Sequence, residues 1–382
     1  MKKGILTAVI AAPVNGMFAV FAVILALVIS RDGLAHESEY DPKTNPRPWI
    51  RPLDRQGFHL GFPLATVTPM LSPADTGGLF DGGVEHIETN YYGPAHVHEK
   101  LDETIIMIDG SAYIRLNDRD FTLTRGEWLH IPRGTVHSFK STGSPAKWII
   151  LKSPPAPPPP ATVTPECDRS AFTPAMVADV ERMKQFYHDC LDDFYMVPDA
   201  GLPGTPFTPS SYRPDFEVRP WVRPLDRRQF HLGFPSASVT PMLSGEDTGG
   251  AFTGAIEHIE TDYYGPAHVH YTKSETIIMI DGSTRLRVDG TDITLTEGQW
   301  LHIPPGNVHS FDSTGNPARW IILQSPASGE PGDAADSDEC DRSAFTPDMI
   351  ADPEIMTRWY HDCVDDFYMV PEAGLPGDEA GR

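Results

Sequence analysis

The chain has 382 residues and a formal net charge of −23, a length that accommodates two domains of ordinary size, each able to bury a core. That charge excludes nucleic-acid backbones and anionic membrane surfaces as electrostatic partners, since both would repel it. It favours solubility.

The N-terminus carries Lys2 and Lys3, then an uncharged run from Gly4 to Ser30 that Arg31 and Asp32 end. Pro13, Asn15 and Gly16 split the run and leave Met17 to Ile29 as an apolar stretch of signal-peptide length. Gly33-Leu34-Ala35 offers a small-x-small cleavage site. Residues 1–35 are therefore expected to be a signal peptide or a retained N-terminal anchor, because the full run could also span a bilayer. Either places the folded part outside the cytoplasm, secreted, periplasmic or membrane-anchored. Residues 36–46 are polar and carry no strong pattern.

Two repeats follow. The first opens at Arg47-Pro-Trp-Ile-Arg-Pro-Leu-Asp-Arg and the second at Arg219-Pro-Trp-Val-Arg-Pro-Leu-Asp-Arg. From there to Ser153 and Ser325 the chain consists of short runs rich in Val, Ile, Thr, Phe and Tyr, punctuated by Gly, Pro and Asp-Gly pairs. That pattern predicts an antiparallel sandwich or barrel, all-β, with hairpin turns at Asp109-Gly110 and Asp281-Gly282.

Within the first repeat stands Gly-Pro-Ala-His96-Val-His98, then Glu103, Gly110 and Gly126, then Pro132, Gly134 and His137. Strand side chains alternate, so His96 and His98 share a face. Glu103 opens the next apolar run, and His137 follows a Pro-x-Gly turn. Three imidazoles and one carboxylate on neighbouring strands can converge on one divalent cation, and such mixed nitrogen and oxygen ligands suit iron(II), manganese, nickel, cobalt or zinc. His268, His270, Glu275 and His309 reproduce the constellation 172 positions later with every spacing kept. One divalent transition metal per barrel is the expectation, with iron(II) at the head of the candidates. Glu103 and Glu275 have two readings: a fixed fourth ligand, or a carboxylate that leaves the metal to take a substrate proton. Ile105, Met107 and Phe139 with their counterparts would give the cavity apolar walls, suited to an apolar or aromatic small molecule.

These residues resemble the cupin superfamily, whose motifs read Gly-x5-His-x-His-x(3,4)-Glu-x6-Gly and Gly-x5-Pro-x-Gly-x2-His-x3-Asn. The chain departs where Asn90 and Asp262 replace the first glycine, and where Ser141 and Ser313 replace the terminal asparagine. The resemblance implies two tandem jelly-roll β-barrels, a bicupin. It implies that the metal ligands are His96, His98, Glu103 and His137, with His268, His270, Glu275 and His309 in the second barrel. The duplicated architecture looks most like quercetinase-type dioxygenases. In those, the resemblance implies, the metal holds an enolate, Glu103 or Glu275 takes its proton and dioxygen cleaves the ring. Decarboxylases and lyases acting on small carboxylic acids share the barrel and would need a cationic clamp, for which Arg115 and Arg285 are the candidates. A non-catalytic sugar- or small-molecule-binding cupin is the third reading. Fold alone does not choose among them.

The remaining histidine pairs, His59/His231, His86/His258, His130/His302 and His188/His361, are read as structural, although His86 and His130 could face the cavity. Tyr91, Tyr92, Tyr263, Tyr264, Trp128 and Trp300 are read as packing residues. No Ser-His-Asp nucleophile, phosphate-cradling glycine loop or basic stripe appears.

After each barrel a linker, proline-rich at 154–160 and acidic at 328–339, leads to a helical tail over Met176–Phe194 and Met349–Phe367, opened by Thr173-Pro174 and Thr346-Pro347. The acidic ends Asp192-Asp193 and Asp365-Asp366 are expected to be solvated. Cys167 and Cys190 have the same spacing as Cys340 and Cys363, and pairing within each repeat would stabilise each by about 3 kcal/mol on the chain-entropy model. Zinc held by Cys with His188 and Cys190 is the rival. The domains are thus 47–203 for repeat one with its tail, 204–218 for a linker, and 219–377 for repeat two with its tail. A homo-oligomer is compatible with this organisation.

Overall fold

The computed structural model describes residues 48–52, 58–59, 65–155, 193–208, 220–224, 230–231, 237–327 and 366–378, with isolated positions between 179 and 186 and between 349 and 359. The apolar N-terminal run, His36, His188, His361, most of the helical tails and much of both linkers lie outside them. So do Cys167, Cys190, Cys340 and Cys363. The expected disulfides, Cys167 with Cys190 and Cys340 with Cys363, therefore fall outside the described residues, as does the rival zinc site. No helix among the described residues is long and apolar enough to cross a membrane.

Each barrel consists of a seven-stranded sheet, six strands from its own repeat and one from the other, and a five-stranded sheet, all pairings antiparallel. In repeat one the seven-stranded sheet contains Asp81–Ile87, Ala146–Ser153, Asp102–Asp109 and Trp128–Ile131 in that spatial order, with Ala65–Leu71 beyond Asp81–Ile87. The five-stranded sheet contains Tyr195–Met196, Tyr92–Val97, His137–Ser141, Ser111–Leu116 and Arg119–Thr124 in spatial order. Repeat two repeats this order strand for strand. The all-β expectation holds.

Alternation explains where the cores sit. Ile105, Met107, Ile114, Phe139 and Trp148 point between the two sheets of their own repeat and form its interior. Ile106, Trp128, Ile149 and Leu151 point the other way, into a second core shared with Ile278, Trp300, Ile321 and Leu323 of repeat two. Strands buried on both faces must be apolar at every position. This is why Thr-Ile-Ile-Met-Ile shows no period of two. Phe80 and Phe252 meet in this shared core with ring centroids 4.5 Å apart.

The opening strands are exchanged. Trp49–Arg51 pairs with Trp300–Ile303 of repeat two, and Trp221–Arg223 pairs with Trp128–Ile131 of repeat one. Each exchanged strand also stays tied to its own repeat, because Arg51 and the Trp49 indole N–H both bind the Asp75 carboxylate, as Arg223 and Trp221 bind Asp247. His130 and His302 belong to this junction, stacked on Trp221 and Trp49 with their Nδ1 atoms at the hydroxyls of Thr104 and Thr276. His86 and His258 are partly exposed beside Glu88 and Glu260. None of these four lines the barrel interior. Trp128, Trp300, Tyr91 and Tyr263 are buried packing residues, as expected, whereas Tyr92 is exposed.

The Asp109-Gly110 turn, and with it Asp281-Gly282 in repeat two, is corrected. It does not close a hairpin: Asp102–Asp109 and Ser111–Leu116 lie in different sheets, so Gly110 is a corner at which the chain changes sheet. The hairpin lies one strand later, where Ser111–Leu116 pairs with Arg119–Thr124 through Asn117, whose φ is 51°. An Asp-Gly pair supplies the same positive φ to either kind of turn, which is why the local signal misassigned it. Gly110 has φ +73°, and a Cβ there would lie 2.5 Å from the Pro145 carbonyl oxygen. Gly110→Ala is expected to destabilise the fold by about 2 kcal/mol or more, through φ strain plus a backbone clash. Gly143→Ala, at a position with φ +98° and open space, should cost less; the denaturation midpoints of the two variants check the order.

Candidate metal centres

The two sheets of each barrel bring its site together. His96 lies on Tyr92–Val97 directly opposite His137 on the neighbouring strand, and His98 follows two residues on. Ring centroids are 4.1 Å apart for His96 and His137 and 5.1 Å for His96 and His98. Glu103 enters from the facing sheet, with a carboxylate oxygen 3.2 Å from His98 Nε2. In repeat two, His268 and His309 lie 4.2 Å apart, His268 and His270 5.1 Å, and Glu275 approaches both His270 and His309, at 3.4 and 3.8 Å. All eight side chains are buried.

The convergence is complete in one barrel and nearly so in the other. One ligand atom from each of His268, His270, Glu275 and His309 falls within 4.8 Å of all the others, whereas the equally tight group in repeat one is His96, His98 and His137. Glu103 sits at the edge of that group.

Each histidine is held by its Nδ1. His96 and His268 donate to the carbonyls of Pro94 and Pro266 at 2.8 Å, and His137 and His309 to those of Thr135 and Asn307 at 2.9 and 3.0 Å. His98 and His270 donate to the carbonyls of Asp193 and Asp366. With the proton fixed on Nδ1, the Nε2 lone pairs are left to face the centre. The Nε2 atoms of His98, His137, His270 and His309, and Oε1 of Glu275, are buried without a hydrogen-bond partner. Stranding so many polar atoms in an apolar interior costs several kcal/mol in aggregate unless something binds them. A divalent cation fits: neutral imidazoles and a carboxylate are its donors, and their orphaned atoms are the ones aimed inward.

The electrostatics agree at His96, His137, His268 and His309, all lowered, whereas His270 is raised against burial by the Glu275 carboxylate beside it. Burial holds His137 down to about 4 against its neighbour Glu103, and burial with two neighbouring imidazoles holds His96 and His268 well below the ordinary range. These nitrogens are therefore unprotonated at neutral pH and a metal need not displace protons from them. Burial would raise Glu103, but His98, Lys152 and His137 outweigh it and bring it down to about 2; Glu275 is lowered against burial by His270 and His309. Both are carboxylates at neutral pH.

Sequence reasoning missed the tails' part in the site. Asp193 and Asp366 are not solvated, as expected from their acidic surroundings, but buried. Both take a positive φ, 60° and 56°. Besides the carbonyl that holds His98, the Asp193 carboxylate accepts the backbone N–H groups of Glu99, Lys100 and Leu101 at 2.7 to 2.9 Å. Asp366 repeats this with Tyr271, Thr272 and Lys273. The next residue, Phe194, stacks on the His96 ring at 3.9 Å, and Phe367 on His268 at 4.0 Å. Tyr195–Met196 and Tyr368–Met369 then pair with the histidine strands.

Two further buried carboxyls were also missed. Glu85 and Glu257 face the barrel interior and accept the indole N–H of Trp148 and Trp320, at 2.9 and 2.6 Å. Burial, with the nearby Glu103 or Glu275 charge, raises them to about 7 and about 8. The arginines considered as a carboxylate clamp lie elsewhere. Arg115 points out of the barrel to Asp120 and the carbonyls of Ala200 and Thr205; Arg285 is exposed beside Asp312. Alternation along Ser111–Leu116 turns Ala112, Ile114 and Leu116 inward and Arg115 outward.

The Cupin domain family matches residues 83–152 and 255–323, the two stretches that carry these ligands. The chain belongs to the cupin superfamily. It is a bicupin, with quercetin 2,3-dioxygenase of Bacillus subtilis 24% identical over 307 residues, 74% of this chain and 83% of that one. The tetracenomycin polyketide synthase protein TcmJ of Streptomyces glaucescens is 32% identical over 113 residues, 29% of this chain and 70% of that protein. Among solved structures, a mutant of Bacillus subtilis oxalate decarboxylase superposes with a TM-score of 0.51 at 14% identity, covering 76% of this chain and 80% of that one. That likeness carries the bicupin fold alone. The bicupin's donor sets support a divalent metal in each barrel.

Through Asp193 and Asp366 the tails hold His98 and His270 and the loops that follow them. Asp193→Ala is expected to weaken metal binding in the first barrel by about tenfold or more while sparing the second, and Asp366→Ala the reverse. Competition with a chromophoric chelator, resolving two sites per chain, reads both affinities.

Proposed function

We propose that this bicupin is an exported, metal-dependent dioxygenase acting on an enolisable or aromatic small molecule, in the manner of a quercetinase. The observation that carries the reading is the duplicated donor set of three histidines and a glutamate in apolar barrels, in a chain that resembles quercetin 2,3-dioxygenase along most of its length. The apolar N-terminal run and the two cysteine pairs of equal spacing, Cys167 with Cys190 and Cys340 with Cys363, support export. His96, His98, His137 and Glu103 would hold the metal in the first barrel, and His268, His270, His309 and Glu275 in the second.

A bound divalent cation supplies Lewis acidity to an ionised substrate oxygen. The chain's own groups supply the rest. Glu103 and Glu275 are ionised at neutral pH, the form required both to bind a cation and to accept a proton from an enolisable hydroxyl. Ile105, Met107 and Phe139, and Ile277, Met279 and Phe311, are interior residues, which suits a flat aromatic ligand and excludes water from the reacting atoms. Glu85 and Glu257, protonated for a large share of molecules near neutrality, keep a second carboxyl in each interior without adding a full negative charge beside the ligand carboxylate.

Metal-loaded protein is expected to bleach the flavonol absorbance of quercetin with stoichiometric oxygen uptake. The double variant Glu103→Gln, Glu275→Gln should be slower by about a hundredfold or more, consistent with loss of a general base. Carbon dioxide release from oxalate without oxygen uptake would instead assign the decarboxylase reading, and tight ligand binding with no turnover the non-catalytic one.

A further inference from the structure

Among the differences between the two metal centres, one changes a side chain paired directly with the glutamate. On the strand Ala146–Ser153, Trp148 and Ile150 face the barrel interior while Ile149 and Leu151 face the core between the barrels. Alternation therefore turns Lys152 inward, and its Cα is paired directly with that of Glu103. In repeat two the equivalent position is Gln324, paired in the same register with Glu275. Gln324 donates to Glu275 Oε2 at 3.4 Å, the oxygen that also approaches His270, while Oε1 lies 3.8 Å from His309 Nε2 without a hydrogen-bond partner. In the second barrel the four ligands converge, and the position that carries Lys152 in the first barrel holds an uncharged amide. In the first barrel, Lys152 makes no hydrogen bond or ion pair within 4 Å among the described residues, yet its charge acts on Glu103, His96, His137 and Glu85. It also stands where the Glu103 carboxylate lies outside the tight group of histidine nitrogens.

A cationic ammonium beside a buried metal centre is an arrangement that recognises an ionised oxygen, because a low interior dielectric magnifies charge–charge attraction. We propose that the first barrel is the anion-binding centre of the pair. There Lys152 recognises the ionised oxygen of a small organic anion, an enolate, phenolate or carboxylate, beside Glu103. Gln324 makes the second barrel a metal centre without that preference. The inference rests on the reading that both barrels hold a metal, and it makes the duplicated sites unequal despite their identical ligands.

The test uses full-length protein loaded with cobalt(II), with cobalt content confirmed by elemental analysis, and azide as the anionic probe read in the visible ligand-field spectrum. The wild-type titration is expected to show a tight phase at one azide per chain followed by a weaker one. Lys152→Gln, which installs the residue the other barrel already carries, should weaken the tight phase by about tenfold or more with cobalt content unchanged, while Lys152→Arg should stay within about threefold. Gln324→Lys should add a second tight phase. A Lys152→Gln titration that superimposes on the wild type, or two equal phases in the wild type, would overturn the inference. Flavonol oxidation is measured separately: if it fails while the azide asymmetry holds, the dioxygenase reading falls and the anion-binding assignment stands.

Discussion

The structure depends on one local arrangement, six histidines whose Nδ1 protons are donated to backbone carbonyls. Those bonds decide the tautomer, and the tautomer decides that the Nε2 lone pairs face inward. Four of the six Nε2 atoms are buried and unsatisfied, which an apolar interior tolerates only with a ligand in prospect. Burial then keeps His96, His137, His268 and His309 neutral and so ready to coordinate, while the Glu275 carboxylate raises His270 against burial. Geometry and electrostatics thus point to the same occupant.

Rigidity around these rings comes from three directions. The five-stranded sheet places two histidines opposite one another across adjacent strands, and the facing sheet brings the glutamate. The tail closes the third side: its aspartate clamps the loop after the second histidine and its phenylalanine lies flat on the first. Behind the seven-stranded sheets, the shared core and exchanged strands fix one barrel against the other. Burying Trp128, Ile149, Trp300 and Ile321 between the repeats contributes about 1.5–3 kcal/mol per large side chain, so neither barrel's outer apolar face could be left uncovered.

The barrels and the convergence of the three histidines and the glutamate in each were legible because their signals are local: alternation, turn residues and fixed spacing. Asp193 and Phe194 were not, because they act on residues about a hundred positions away in sequence through a carbonyl, a carboxylate and a ring face, and nothing near them marks the contact. Gly110 was misread because a sheet-changing corner and a hairpin demand the same left-handed φ. Lys152 was overlooked because Ala146–Ser153 is apolar on both faces, so its pattern does not reveal which face is the interior. Arg115 was legible in principle: Ile114 and Leu116 beside it already turn it outward.

The measurement closest to the central claim is the transition-metal content of purified full-length protein after dialysis, with circular dichroism confirming the fold. The account predicts about two equivalents per chain in an all-nitrogen and oxygen environment by X-ray absorption. A folded chain that retains no transition metal even after incubation with excess iron(II), manganese or cobalt, or one whose metal is bound through sulfur, would contradict it.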